Sequence, residues 1–313
     1  MAGAKVLVLG GAGYIGSILT PTLLAEGFQV TVLDQLIFRQ VTLLDQCISA
    51  NFRFVRGDVL DRSLVAAEVA RHDIIIPLAA MVGSSACDRS PELTRAVNLE
   101  SIQHLLSVRS RDQPIIFPTT NSGYGVGSLS KECTEETPLN PISLYGTTKV
   151  QAENLLLDAG NAITLRLATA FGLSPRMRLD LLVNDFTYQA FRQRYIVLFE
   201  ENFRRNFIHV RDIAYTFQHC IQNWHRLKDE PYNVGLSQAN LTKKELAYKI
   251  KEHVPEFEIF FSPMGEDMDK RDYMVSNQKL ESTGWAPRID LDAGITELLK
   301  GYRMMYFGHY SNA

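Results

Sequence analysis

The chain has 313 residues, 46% of them hydrophobic and 21% charged, which is the composition of a globular protein with a sizeable core in one large domain or two lobes. A net charge of −3 with no run of lysine or arginine leaves no footprint for nucleic acid, and no stretch of eighteen apolar residues or leader-like segment suggests a membrane partner or a targeting signal. Cys47, Cys87, Cys133 and Cys220 lie far apart without a Cys-x-x-Cys pair, so neither a disulfide framework nor a metal site is expected and a cytoplasmic location is the simplest.

Six short apolar runs, Lys5–Leu9, Gln29–Leu33, Phe52–Arg56, Asp73–Leu78, Pro114–Phe117 and Ala162–Leu167, alternate with segments of helical periodicity. This alternation predicts an α/β fold, a Rossmann-type doubly wound parallel sheet with helices on both faces. Val6 to Leu9 and Ile74 to Ile76 are continuously apolar, as strands covered on both faces are.

After the first run, Gly10, Gly13 and Gly16 recur at three-residue spacing ahead of a helix whose apolar face holds Ile15, Ile18, Leu19 and Leu23. Glycines here permit a tight turn and let a pyrophosphate approach the helix N-terminus, where unpaired N–H groups and the helix dipole favour an anion. Tyr14 and Ile15 belong to the same cofactor-binding turn. Asp34 ends the second run, placed to accept hydrogen bonds from the adenosine ribose hydroxyls; a 2′-phosphate would be repelled, so NAD is expected rather than NADP. Asp58, with Val59 beside it, follows the third run, where it either binds the adenine amino group or closes a Gly-Asp turn. Pro21 stands two turns into the first helix, where it removes a backbone hydrogen bond, and the sequence offers no reason for it.

Beyond Arg166 the alternation breaks. A connection rich in Pro and Arg, residues 174–178, leads to a helical segment at Leu181–Phe191 and a strand-like run at Tyr195–Phe199. Helical signals return at Val210–Asn223 and Thr242–His253, the latter opened by the capping-box pattern Thr242-x-x-Glu245. Residues 1–170 are therefore expected to form the NAD-binding domain, with a returning segment at about 204–230. Residues 171–203 and 231–313 are expected to form a smaller, mixed α/β substrate-binding lobe.

Tyr145 and Lys149 stand four apart at the start of a helical segment, so both side chains share one face. An ammonium near a phenol lowers the phenol's pKa and makes it a usable base, although the same spacing on a helix surface also describes an ordinary exposed pair. Thr119, Thr120, Asn121 and Ser122 follow the fifth run directly, ahead of Gly123-Tyr124-Gly125.

With the glycine turn, Asp34, Gly57-Asp58, Leu78-Ala79-Ala80, Asn98, the Thr119–Gly125 string, Tyr145-x-x-x-Lys149 and Arg205–Val210, the chain resembles the extended short-chain dehydrogenase/reductases, a family of nucleotide-sugar epimerases and dehydratases, from Val6 to about Trp285. The resemblance implies that Tyr145 is the catalytic base, that Lys149 bonds the nicotinamide ribose and lowers the tyrosine pKa, and that Thr120 binds the reacting sugar oxygen. It implies that Leu78, Ala79, Ala80, Val82 and Thr119 line the cofactor, that Asn121 and Ser122 contact the substrate beside Thr120, and that Arg205 and Arg271 bind the substrate diphosphate. Asn184 is either a further amide for that group or a helix residue without a ligand.

In the 4,6-dehydratases of this family the two positions after the Thr120 equivalent are Asp and Glu, and the decarboxylating members keep the Glu. Here they are Asn121 and Ser122, neither of which titrates near neutrality, so elimination and decarboxylation are disfavoured. The strings at 120–125, 174–186 and 199–212 resemble a bacterial group acting on GDP-linked heptoses. That resemblance implies oxidation of C4 to a ketone, with NADH returned to NAD by a 2-oxo acid such as 2-oxoglutarate. Epimerisation at C4 of a UDP- or GDP-sugar is the alternative, and a non-catalytic NAD-binding sensor or scaffold the rival class. Helical segments Asn98–Arg109 and Tyr145–Asp158 carry apolar surface that, by the same resemblance, pairs in a homodimer.

Overall fold

Alternate residues of the apolar runs face opposite sides of one sheet. The computed structural model describes residues 3–39, 41–127, 131–263 and 271–305; the expected second lobe is thus described as far as residue 305. Twelve strands occur among them: β1 Lys5–Leu9, β2 Gln29–Asp34, β3 Phe52–Arg56, β4 Ile74–Pro77, β5 Ile115–Thr120, β6 Ala162–Leu167, β7 Thr169–Phe171, β8 Tyr195–Leu198, β9 Arg204–His209, β10 Glu230–Val234, β11 Asn240–Thr242 and β12 Glu258–Phe261.

Seven of these form a parallel sheet in the order β3-β2-β1-β4-β5-β6-β10. Val6, Val8, Val32 and Ile76 point to one face, toward helices Gly16–Ala25 and Val210–Gln222; Leu7, Leu9, Leu33, Ile75 and Phe117 point to the other, toward Arg62–Val69, Ser101–Val108 and Leu144–Ala159. Burial on both faces is why these strands read as unbroken apolar runs. The strand order reverses between β1 and β4, which opens a crevice at the carboxyl ends of the strands.

Two elements differ from expectation in ways that matter for the site. β5 runs three residues further than its apolar core, so Thr119 and Thr120 are strand residues delivered to the crevice at its carboxyl edge. β10 extends to Val234 and pairs with β6, so the returning segment ends later than about 230. Its Pro231 sits at the strand's start, and the strand lies at the sheet edge, where a missing N–H is tolerated.

The remaining strands form two small sheets, β7-β9-β11 and the parallel pair β8-β12, packed with helices Leu182–Arg192, Lys243–His253 and Leu291–Tyr302. The capping box at Thr242 is formed: Glu245 N–H donates to Thr242 Oγ1 at 3.1 Å, and the Glu245 carboxylate accepts from Thr242 N–H at 2.8 Å. Pro21 lies inside helix Gly16–Ala25, where the Thr22 hydroxyl donates to the Ile18 carbonyl at 2.8 Å.

Candidate active site

The crevice encloses about 780 Å³, a volume suited to a small-molecule site. Its cofactor side is shaped by main chain. Gly10 has φ +79°, and a Cβ there would lie 2.6 Å from the Ala79 nitrogen; a Cβ on Gly16 would lie 2.4 Å from the Gly11 oxygen. Both glycines are thus required by the protein itself. Gly13 differs, because a Cβ there meets nothing nearer than 3.4 Å, so its bare face is left to the cleft just ahead of the helix that opens at Gly16, whose positive dipole end favours an anion.

Asp34 accepts from the N–H of Ala12 at 2.9 Å and of Leu36 at 2.8 Å, which fixes the carboxylate at the cleft wall with lone pairs to spare for ribose hydroxyls. Asp58 closes a local turn, accepting from Leu60 N–H at 2.9 Å, while lining the cleft with Val59. Leu78, Ala79, Ala80 and Val82 line it too, and Asn98 pins the loop they lead into by exchanging hydrogen bonds with Met81 N and O at 2.8 and 2.9 Å. Asn98 sits in a π-helical turn, Ala96–Glu100, a distortion common at functional sites. Thr119 lines the cleft with its hydroxyl buried and unpartnered, an orphan that a bound group would satisfy. These features fit NAD. Tyr14 and Ile15 line the same wall, but the Tyr14 hydroxyl donates to the Gly172 carbonyl at 2.7 Å and so bolts the glycine turn to the second lobe; burial pushes that phenol far above its usual range.

On the reaction side, Ser143 caps helix Leu144–Ala159 by accepting from Gly146 N–H at 3.1 Å, and the helix sets Tyr145 at the cleft. Burial raises the Tyr145 phenol, while the Arg178 and Arg271 charges and a hydrogen bond shared with Thr120 pull it back. Two arginines from separate segments thus act on the phenol, Arg178 from the connection after β7 and Arg271 from beyond β12. Lys149 is buried with Nζ 3.8 Å from the centre of the Phe117 ring, and desolvation pushes its pKa down to about 7 against the opposing pull of Glu153.

Thr120 Oγ1 donates to Ser122 Oγ at 2.9 Å and accepts from Ser122 N–H at 3.1 Å. Ser122 also accepts from Arg271 Nη1, so these two expected substrate contacts are joined to one another. Arg205 lines the cleft and donates to the Arg204 and Arg271 carbonyls. Two expected residues are placed otherwise. Asn121 is fully buried, off the cleft wall, with both carboxamide atoms unpartnered. Asn184 is buried and its amide is engaged: Oδ1 accepts from Gly172 N–H at 2.9 Å, and Nδ2 donates to the Arg178 carbonyl at 2.9 Å and to Tyr14 Oη at 3.3 Å. It ties the lobes' segments together and is not available to a diphosphate.

Sequence reasoning passed over Arg176, Arg178 and Lys243, all of which line the cleft. The Arg/Pro density of residues 174–178 was the available signal. Arg178 is paired with Asp180, and the Arg176 guanidinium lies 3.9 Å from the centre of the Phe38 ring, across the cleft from the second lobe to the loop after β2. Among the described residues no helix is long and apolar enough to cross a membrane.

Residues 6–235 match the model of the NAD dependent epimerase/dehydratase family. The chain is 28% identical over 320 residues to UDP-glucuronic acid decarboxylase 2 of Arabidopsis thaliana, covering 98% of this chain and 70% of the relative. It is 28% identical over 325 residues to dTDP-glucose 4,6-dehydratase of Streptomyces niveus, covering 96% and 93%. The solved UDP-glucose 4-epimerase of Thermus thermophilus, in complex with NAD, superposes with a TM-score of 0.80 at 25% identity, covering 96% of this chain and 99% of that one.

Proposed function

The chain belongs to the NAD-dependent epimerase/dehydratase family, and from that premise we propose that it oxidises the C4 hydroxyl of a nucleotide-diphosphate sugar, a GDP-heptose, and releases the 4-keto sugar. The observation that carries this reading is the charge around Tyr145. Cations from Arg178 and Arg271 are the charges that weigh most on the phenol. The positions where elimination would need an acid hold Asn121, buried off the wall, and Ser122, occupied with Thr120 and Arg271. The acidic groups on that side of the cleft are engaged elsewhere, Asp180 with Arg178 and Asp185 with Gln189.

Tyr145, as its phenolate, takes the proton of the sugar hydroxyl, and Thr120 orients that hydroxyl from the end of β5. NAD, held by the glycine turn and Asp34, supplies the hydride acceptor. Arg205, Arg271 and the newly placed Arg176 and Arg178 offer guanidinium forks suited to a diphosphate. With no carboxylate at 121 or 122 to carry the ketone onward, the site favours a product that leaves oxidised, with reduced cofactor returned to NAD by a 2-oxo acid. A homodimer is supported by Leu99, Leu106, Val150, Leu155 and Leu157, which stay partly exposed, whereas Ile102, Leu105 and Leu156 from the same helices are buried within one chain.

Incubation with GDP-, UDP- and dTDP-linked sugars, followed by NMR of the C4 centre and by absorbance of reduced nicotinamide, tests the reading. The expected result is a 4-keto GDP-heptose with reduced cofactor that persists until 2-oxoglutarate is added, and loss of at least about 100-fold in rate in Tyr145→Phe. Return of the C4 epimer with no acceptor present would establish the epimerase instead.

A further inference from the structure

Tyr145, Lys149 and Glu153 follow one another at four-residue intervals along helix Leu144–Ala159, so their side chains lie on one face, a turn apart. The third has no part in the chemistry above. Glu153 is fully buried, and Arg166 of β6 grips a single oxygen, Oε1, through Nε at 2.9 Å and Nη2 at 2.7 Å. Oε2 has no hydrogen-bond partner. A buried carboxylate left half satisfied is costly, and a pair placed only for stability would be expected to close both oxygens.

The surroundings of Lys149 indicate what the bare oxygen does. From β5, Lys149 meets the face of Phe117, which is uncharged. On its own helix Tyr145 is neutral while the phenol is protonated, and Arg178 and Arg271 act on that phenol. Arg166 is engaged with Glu153, and its Nη1 donates to Tyr124 Oη and the Glu135 carbonyl, both at 3.0 Å. Among the described residues, Glu153 is the one charge that acts on Lys149.

We propose that Glu153 is a positioning residue for the reaction: fixed by Arg166, its carboxylate is the buried counter-charge that keeps the Lys149 side chain an ammonium at working pH. Burial strips the ammonium of water and drives it toward the neutral amine, which could no longer stabilise a phenolate one turn away. Near the midpoint the balance is delicate, because a further fall of one in the lysine pKa takes the charged fraction at neutrality from about one half to about one tenth. Arg166 serves by orientation. It holds Oε1 and leaves Oε2 open, and through Tyr124 it joins the helix to the turn that carries Ser122.

This role depends on Lys149 belonging to the acid–base pair, and the two are separable by experiment. In full-length, NAD-loaded protein isotopically labelled at lysine Cε, the Lys149 signal is assigned by its loss in Lys149→Met and titrated by NMR without sugar or turnover. In Glu153→Gln the midpoint should fall by about one unit, an approximately five-fold loss of ammonium at neutrality. Should Arg166, left unpaired, prevent folding, the double variant Glu153→Gln/Arg166→Met removes both charges and is read in the same way. A Glu153 that merely holds the fold would lower the melting temperature and leave the midpoint in place, and an unmoved midpoint in whichever variant folds overturns the assignment. Full NAD reduction by Lys149→Met, in contrast, would remove Lys149 from the reaction and leave the titration result standing.

Discussion

The two sides of the cleft are built by different means. On the cofactor side, the shape comes from backbone within one stretch: Gly10 and Gly16 are needed because a Cβ on either would lie within 2.6 Å of main chain, and Asp34 is fixed by the N–H groups of Ala12 and Leu36. On the substrate side, the surface comes from side chains on separate segments, with Thr120 and Ser122 after β5, Arg176 and Arg178 from the connection to the second lobe, Arg205 on β9 and Arg271 from beyond β12. A site made of backbone is specified by local spacing and tolerates little change. One made by convergence is specified by contacts far apart in the chain, and its members can be exchanged as substrates differ.

The sharpest test of this contrast lies inside the glycine turn. Gly16→Ala should cost roughly 3 kcal/mol or more, because its Cβ would meet the Gly11 oxygen and Cα, backbone atoms that cannot swing aside. Gly13→Ala should fold with a melting temperature close to that of the parent, since no protein atom stands within 3.4 Å of the new carbon, yet lose at least about ten-fold in NAD affinity. Melting curves with and without NAD separate the two outcomes. If Gly13→Ala still binds NAD at parental affinity, its open face is not where the pyrophosphate sits.

The same contrast accounts for what the sequence disclosed. Strand, glycine turn, helix and Asp34 are consecutive, so their joint spacing is readable without knowing the fold. Tyr145 and Lys149 share a helix face for the same reason. The two readings of Asn184 stayed open because nothing local distinguishes an amide facing a ligand from one engaged by Gly172, Tyr14 and the Arg178 carbonyl. Arg178 was overlooked because its closeness to Tyr145 arises only when the second lobe folds back over β5. Spacing likewise put Lys149 near Tyr145 but could not show how deeply the lysine is buried.

Lys149 sharpens the comparison, because it is a convergent residue that the fold pays to keep. Its folded-state pKa of about 7 lies below the ordinary lysine value of 10.5, so between those values the unfolded chain holds a proton that the folded one has lost. Stability of the cofactor-free protein should therefore rise with pH across that window. Lys149→Met should be more stable than the parent by roughly 3 kcal/mol at pH 6, with the difference shrinking as pH approaches 10, while losing most of its activity. Urea titrations at a series of pH values measure this. A pH-independent difference would mean that the lysine is not the group being titrated.

The smallest effect is expected at the one contact that blurs the division, where Arg176 of the second lobe lies over Phe38 of the adenosine loop. Such a pair contributes about 0.5–2 kcal/mol, depending on how far it is shielded from water. Phe38 is partly exposed and Arg176 is buried, so the middle of that range applies. Since the contact spans the cleft above Gly13 and Asp34, its energy should appear as retention of the cofactor. Phe38→Ala should release NAD about five-fold faster and leave the association rate nearly unchanged. Stopped-flow displacement of NAD resolves the two rates. A change confined to association would place Phe38 at the entrance to the cleft and leave the joining of the two sides to hydrogen bonds such as Tyr14 with Gly172 and Ser17 with Ser174.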